Sequence, residues 1–215
     1  MVTISNIDAI IFDLDGVLID SRNAIMVAVK NTLGKMGLPF RGSMHEVLYK
    51  AHKKVFIDTY PEFKHMVDTF NELYVNNPAN YEMLTILPNA KKVLEIISAS
   101  GIKTGIATTK DRLRTMRILN ELNHTFDHIV TGEDTKNTRP DPLPINLIIK
   151  KLHLNKEKTL YVGDTPLDII QAKNAGLFSV AVSTGVYGAN ILKKENPDFM
   201  INDIYQLIEI IGIGK

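Results

Sequence analysis

Five times along this chain a short apolar run stops abruptly on a polar cluster, and that recurrence constrains the fold more than any other feature. The run 9–12 ends at Asp13-Leu14-Asp15-Gly16, and the run 104–107 ends at Thr108-Thr109-Lys110. The run 128–130 ends at Thr131-Gly132, 159–162 at Gly163-Asp164, and 178–182 at Ser183-Thr184-Gly185. A strand with one wet face alternates apolar and polar residues, whereas a strand covered on both faces of a parallel sheet reads as an unbroken apolar run. Helical periodicity fills the intervals. Residues 90–100 put Val93, Leu94, Ile96 and Ile97 on one side before Gly101, a natural helix stop. Residues 112–122, residues 143–152 after Pro142, and residues 167–175 before Gly176 carry the same spacing. Alternating strands and helices predict an α/β fold, a doubly wound parallel sheet with helices on both faces.

Residues 21–84 break that rhythm. No strand pattern is found there; helical stretches at 24–36, 45–56 and 63–75 are separated by Gly37, Pro39, Gly42 and Pro61. Pro88 marks the return to the alternating pattern. The chain is expected to divide into a core of residues 1–20 and 85–215 and an inserted all-helical module of residues 21–84.

Composition excludes several classes of function. With 45% hydrophobic and 23% charged residues, the chain can bury a sizeable core. The net charge of +1 gives no polyelectrolyte field, so no nucleic-acid partner is expected. The absence of cysteine excludes a disulfide framework, a thiolate metal site and a cysteine nucleophile. No apolar run approaches the roughly 18 residues that cross a bilayer, and residues 1–8 do not read as a signal peptide. A cytoplasmic protein with no membrane partner is expected, as a monomer or a homodimer.

Open parallel sheets bind ligands at the carboxyl ends of their strands. Those ends carry Asp13 and Asp15, then Thr108 and Thr109, then Gly163 and Asp164, with Asp168 one helical turn later. Crowded carboxylates repel and raise each other's pKa unless a cation sits among them. An all-oxygen donor set suits a hard cation, Mg²⁺ first, and the absence of histidine from these clusters disfavours zinc. Taken singly, Asp13-Leu14-Asp15-Gly16 and Gly163-Asp164 read equally as a turn or a helix cap, and Thr108-Thr109 more often so than as ligands. Their recurrence on one edge, in order, is what turns separate turns into a site. The helix-like His45-Glu46-Val47-Leu48-Tyr49 approaches a zinc-protease pattern, but Tyr49 holds the second histidine position and the pattern fails.

These residues resemble the haloacid dehalogenase superfamily, in its phosphoglycolate-phosphatase-like branch. The segment Asp13-Leu14-Asp15-Gly16-Val17-Leu18-Ile19-Asp20-Ser21 is similar to its first motif, and Ile106-Ala107-Thr108-Thr109-Lys110 to its second. Val162-Gly163-Asp164-Thr165-Pro166-Leu167-Asp168 resembles its fourth. The third departs: Arg139-Pro140-Asp141-Pro142 stands where the family usually has Lys-Pro-x-Pro, so Arg139 is expected to replace the lysine, with Lys136 as runner-up. The resemblance implies a nucleophilic Asp13 and a general acid–base Asp15. It implies Mg²⁺ held by Asp13, the backbone carbonyl of Asp15 and Asp164, with Asp168 on the ion or just behind it. It assigns phosphate binding to Gly16, Thr108, Thr109 and Arg139, and makes residues 21–84 a cap hinged near residues 18–21 and 81–88. Arg22, Arg41, His45, Tyr49, His52 and Lys53 are the cap's polar candidates for contact with substrate.

The implied activity is Mg²⁺-dependent hydrolysis of a small phosphorylated metabolite such as phosphoglycolate. The same motifs serve pyrophosphatases, sugar-phosphate phosphatases and β-phosphoglucomutase-like enzymes. A phosphate-sensing module of the receiver type is the alternative outside the enzymes; it has neither a cap nor the second aspartate.

Overall fold

Strand β1 (Ala9–Phe12) is hydrogen-bonded on both sides and buried on both faces, and the molecule is organised around it. The computed structural model describes residues 4, 6–41, 66–75, 83–137 and 139–213. A parallel sheet runs in the order β5-β4-β1-β6-β7-β8. Its other strands are β4 (Lys103–Ala107), β5 (His128–Val130), β6 (Thr159–Gly163), β7 (Phe178–Val182) and β8 (Phe199–Ile201). In register, Phe12 faces Ile106 on one side and Val162 on the other. The five expected strands form; β8 is an addition that the three-residue Phe199-Met200-Ile201 run did not reveal.

Four helices follow the expected periodicity closely: α3 (Ala90–Ala99), α4 (Arg112–Leu122), α5 (Leu143–Leu152) and α6 (Pro166–Ala175). The short α7 (Ala189–Leu192) and α8 (Gln206–Ile211) complete this part of the chain. Ile11, Ala107, Val130 and Tyr161 form one buried cluster with Ile145 and Ile148 of α5 and Ala172 and Ala175 of α6. Side chains alternate along a strand, so Ile10, Phe12, Leu160 and Val162 point the other way and are equally buried. Right-handed crossovers put the helices of oppositely directed connections on opposite faces. The chain leaves β1 towards β4 and β5, crosses back to β6, and continues outward through β7 to β8. The direction of winding reverses between β1 and β6, which is where such sheets bind ligands.

The chain separates into two compact units, one of Met1–Ile19 with Ile86–Lys215 and the other of Asp20–Thr85. The boundaries fall inside a two-stranded pair, β2 (Ile19–Asp20) with β3 (Thr85–Ile86). In the second unit the described residues include α1 (Arg22–Lys35) and α2 (Met66–Val75). Ala24, Ala28, Val29 and Leu33 of α1 pack with Phe70 and Tyr74 of α2, whose rings stack at 5.2 Å. The expected helix 45–56 and the start of 63–75 lie outside the described residues. No helix among the described residues is long and apolar enough to cross a membrane.

Helix α4 begins at a strong cap. Asp111 Oδ1 accepts the Arg114 N–H at 2.8 Å, and the Arg114 guanidinium reaches the other carboxylate oxygen. Burial works to raise the Asp111 pKa, but the hydrogen bonds from Arg114 outweigh it and hold the group below 3.8. A depressed carboxylate stabilises the fold above its unfolded pKa and loses that contribution as pH falls through the folded value. Asp111→Ala is expected to lower stability by about 1–2 kcal/mol at neutral pH. Urea unfolding at about pH 7 and about pH 3 checks the sign: the difference between variant and native protein shrinks in acid.

Candidate active site

The sheet ladders continue past the strand ends and fix the first residues of the polar loops. The Asp13 N–H donates to the Val162 carbonyl at 2.9 Å, and the Thr108 N–H to the Val130 carbonyl at 3.0 Å. After Asp13 the chain folds back on itself: Leu18 N–H bonds the Leu14 carbonyl at 3.0 Å, and Gly16 N–H the Ile19 carbonyl at 2.7 Å. Leu14, Val17, Leu18 and Ile19 are buried, which anchors the loop and leaves Asp15 and Gly16 on its open side.

Three of the expected acids meet. Asp13, Asp164 and Asp168 are buried, and one oxygen from each lies within 4.8 Å of the others. The side chain of Asp15 is outside that group and pairs instead with Lys110, Nζ to Oδ2 at 3.2 Å. Arg139 joins the cluster: its Nη2 contacts Asp13 Oδ1 and its Nε lies 2.8 Å from Asp168 Oδ1. Lys136 and Thr109 are exposed. Together with Thr108, Thr131, Asn137 and Arg139 they line a cavity of about 130 Å³. Of the two cations weighed for the third motif, Arg139 is the one in contact with the acids.

Asp168 is held from several directions. Its Oδ2 accepts the Thr165 hydroxyl at 2.6 Å and the Thr165 N–H at 3.0 Å, a capping box that starts α6, and its Oδ1 accepts the Tyr161 hydroxyl at 3.2 Å. Glycines shape the rest. Gly16 has φ +76°, a left-handed conformation that favours glycine. A Cβ on either Gly16 or Gly185 would collide with the Asp164 carboxylate. The Thr184 hydroxyl, donating to the Gly16 carbonyl at 2.6 Å, ties the loop after β7 to the loop after β1.

The electrostatics follow from this packing. Burial pushes the Asp13 pKa from 3.8 up to about 8; Arg139 pulls it down, while Asp168 and Asp15 push it up again. Burial, then the charges of Asp168 and Asp13, raise Asp164 well above the ordinary carboxylate range against the pull of Arg139. Burial opposes the charge on Arg139, but Asp13 and Asp168 outweigh it and keep the guanidinium protonated. The donor set fits a hard divalent cation: three buried carboxylates converge, all of them oxygen donors, and the bare glycines let the loops after β1 and β7 approach the Asp164 carboxylate closely.

Three contributors carry weak sequence signals. Tyr161 lies inside an apolar run, and only the alternation of β6 sets its ring on the α5–α6 face. Gly185 is read as the end of a strand, with nothing local to say that it abuts Asp164. Lys110 adjoins Thr109 in the second motif, yet the sequence does not connect it with Asp15.

Two outcomes test the donor set. Gly185→Ala displaces the Asp164 carboxylate and is expected to weaken divalent-cation binding about 10- to 100-fold, as titration calorimetry would read. Asp13, with its pKa near 8, is largely protonated at neutral pH before a cation arrives, so binding is expected to release protons and to tighten as pH rises. Titrations in buffers of different ionisation enthalpy count those protons; a pH-independent affinity between about pH 6 and 9 overturns this expectation of proton release.

Residues 10–182 match the family model of the haloacid dehalogenase-like hydrolases. The chain is 31% identical over 215 residues to the pyrophosphatase PpaX of Oceanobacillus iheyensis, covering 96% of this chain and 98% of the relative. It is 27% identical over 228 residues to a phosphoglycolate phosphatase of Vibrio cholerae, covering 97% and 99%. A haloacid dehalogenase-like hydrolase from Streptococcus pneumoniae superposes with a TM-score of 0.82 over 95% of this chain and 98% of that one, at 23% identity, a likeness of fold. Matched along most of its length by both sequence and architecture, the chain belongs to the haloacid dehalogenase-like hydrolases.

Proposed function

We propose that the protein is a Mg²⁺-dependent phosphatase that hydrolyses a small phosphorylated metabolite through an aspartyl phosphate on Asp13. One observation carries this: Asp13 shares a buried pocket with Asp164, Asp168 and the Arg139 guanidinium at the point where the sheet reverses its winding. Nucleophile and phosphoester are both anionic, so the main obstacle is their repulsion. Asp13, Asp164, Asp168 and the Asp15 carbonyl would hold Mg²⁺, which would supply Lewis-acid neutralisation of both. Arg139 presents a fork of donors suited to phosphate oxygens, and Thr108 adds a hydroxyl. Thr109 lies at the rim, and Gly16, lacking a side chain, keeps the approach open.

The Asp13 carboxylate attacks phosphorus, the bond to the leaving oxygen breaks, and that oxygen takes a proton from Asp15. Water then attacks the acyl phosphate and gives its proton to Asp15, releasing inorganic phosphate and restoring Asp13. Asp15, partly exposed on the open side of the loop, suits traffic in protons with a bound molecule. Its presence favours phosphoryl transfer over carbon–halogen cleavage. Residues 21–84 serve as the cap that excludes water during the first step. Among its described candidates, Arg22 is paired with Asp20 at 2.5 Å and Arg41 is exposed; His45, Tyr49, His52 and Lys53 lie outside the described residues. A chain without cysteine suits the reducing cytoplasm.

A phosphoglycolate-like monoester is the first substrate class to test. Pyrophosphate is the second, favoured by the 31% identity to a pyrophosphatase. The two differ in the leaving group, not in the residues named. Phosphate release from both, with and without Mg²⁺, is the direct assay. Asp13→Asn is expected to lower kcat about a thousandfold or more; unchanged turnover removes Asp13 as nucleophile. Arg139→Ala is expected to cost about 100-fold or more, and Lys136→Ala less than about threefold. The reverse ranking in the same assay moves the cationic role to Lys136.

A further inference from the structure

Lys110 is a buried cation with no part in the chemistry so far described. Its side chain is 5% exposed, and lysine is almost never buried unless it is paired. Its ammonium lies 3.2 Å from Asp15 Oδ2, whose side chain is 34% exposed, so the charge reaches outward from the interior to the open side of the first loop.

The mount of this side chain is rigid. The Lys110 N–H donates to the Thr108 hydroxyl at 3.2 Å, and its carbonyl accepts the Gly132 N–H at 2.9 Å. A Cβ at Gly132 would strike the Thr109 carbonyl, so the loops after β4 and β5 pack as closely as backbone allows. The next residue, Asp111, caps α4. Lys110 therefore projects from a segment fixed at one end by the sheet and at the other by a capped helix.

We infer that Lys110 is the positioning residue for Asp15, its ammonium holding that carboxylate in the rotamer that serves the reacting oxygen. The inference rests on the phosphatase reading and deepens it. A free aspartate samples several staggered χ1 wells, and proton transfer needs the one that puts its oxygen within hydrogen-bond reach of the leaving group. The two basic side chains reach different acids of the site. Arg139 engages Asp13 and Asp168, and Lys110 engages Asp15.

A double-mutant cycle tests this, with kcat, KM and Mg²⁺ affinity measured for Lys110→Met, Asp15→Asn and the pair. Lys110→Met keeps the apolar stem and removes the charge. It is expected to lower kcat about 10- to 100-fold while KM and Mg²⁺ affinity stay within about threefold. In the Asp15→Asn background the same substitution is expected to cost less than about twofold, because residues acting through one another are not additive. An equal loss in both backgrounds, or a loss carried by KM or Mg²⁺ affinity, overturns the inference. Lys110→Gln runs the same cycle if Lys110→Met does not fold. Lys110→Arg, which restores the charge on a different geometry, is expected to recover part of the kcat; no recovery also overturns the assignment. Native protein that releases no phosphate from any phosphoester defeats the phosphatase reading itself, whereas an active native protein with additive losses defeats only the role of Lys110.

Discussion

Burying several carboxylates in one pocket is costly, and most of the local architecture answers that cost. Asp13 and Asp164 come from the loops just past two neighbouring strands and Asp168 from the first turn of a helix, and they converge within 4.8 Å. Removed from water, such groups resist ionisation, and each makes its neighbours resist further. The raised pKa values of Asp13 and Asp164 follow from that burial and mutual repulsion. A sequence that keeps such an arrangement gives up stability for a function, because replacing the acids with apolar side chains would relieve it. Arg139 offsets part of the repulsion; a divalent cation is the natural complement for the remainder.

The sheet makes the convergence possible. Because winding reverses between β1 and β6, the loops leaving these neighbouring strands turn to opposite faces and leave a crevice between them. Ladder hydrogen bonds from Asp13 to Val162 and from Thr108 to Val130 carry the sheet's rigidity into that crevice. Preorganisation of this kind fixes polar groups before a ligand arrives. Gly16 and Gly185 then let the loops after β1 and β7 pack directly against the Asp164 carboxylate.

Much of this was legible in the order of residues. Buried parallel strands are written as apolar runs, and where a run stops the carboxyl edge begins; Asp13, Thr108 and Asp164 could thus be assigned to one edge without coordinates. Strand β8 escaped because Phe199-Met200-Ile201 is too short to carry a period, and its pairing with β7 is what makes it a strand. The contacts of Lys110 with Asp15 and of Tyr161 with Asp168 escaped for a different reason. Each joins different polar loops or a strand to a helix, and periodicity reports which face a residue occupies, not which polar atom it will meet across a loop. The pairing of Asp15 with Lys110 spans 95 positions in the chain, as the difference between their numbers shows.

The departure in the third motif is informative on the same physical ground. A lysine ammonium is a compact charge that meets one carboxylate well, whereas a guanidinium presents donors along two edges of a plane. Arg139 uses that plane to engage Asp13 through Nη2 and Asp168 through Nε at once. Asp168 can accept this because its other oxygen is committed to Thr165, which orients the carboxylate towards the pocket. Arginine here therefore does more than preserve a positive charge. It links the proposed nucleophile to the first turn of α6 through one rigid group, so the position of Asp13 is set by the helix cap as well as by its own strand.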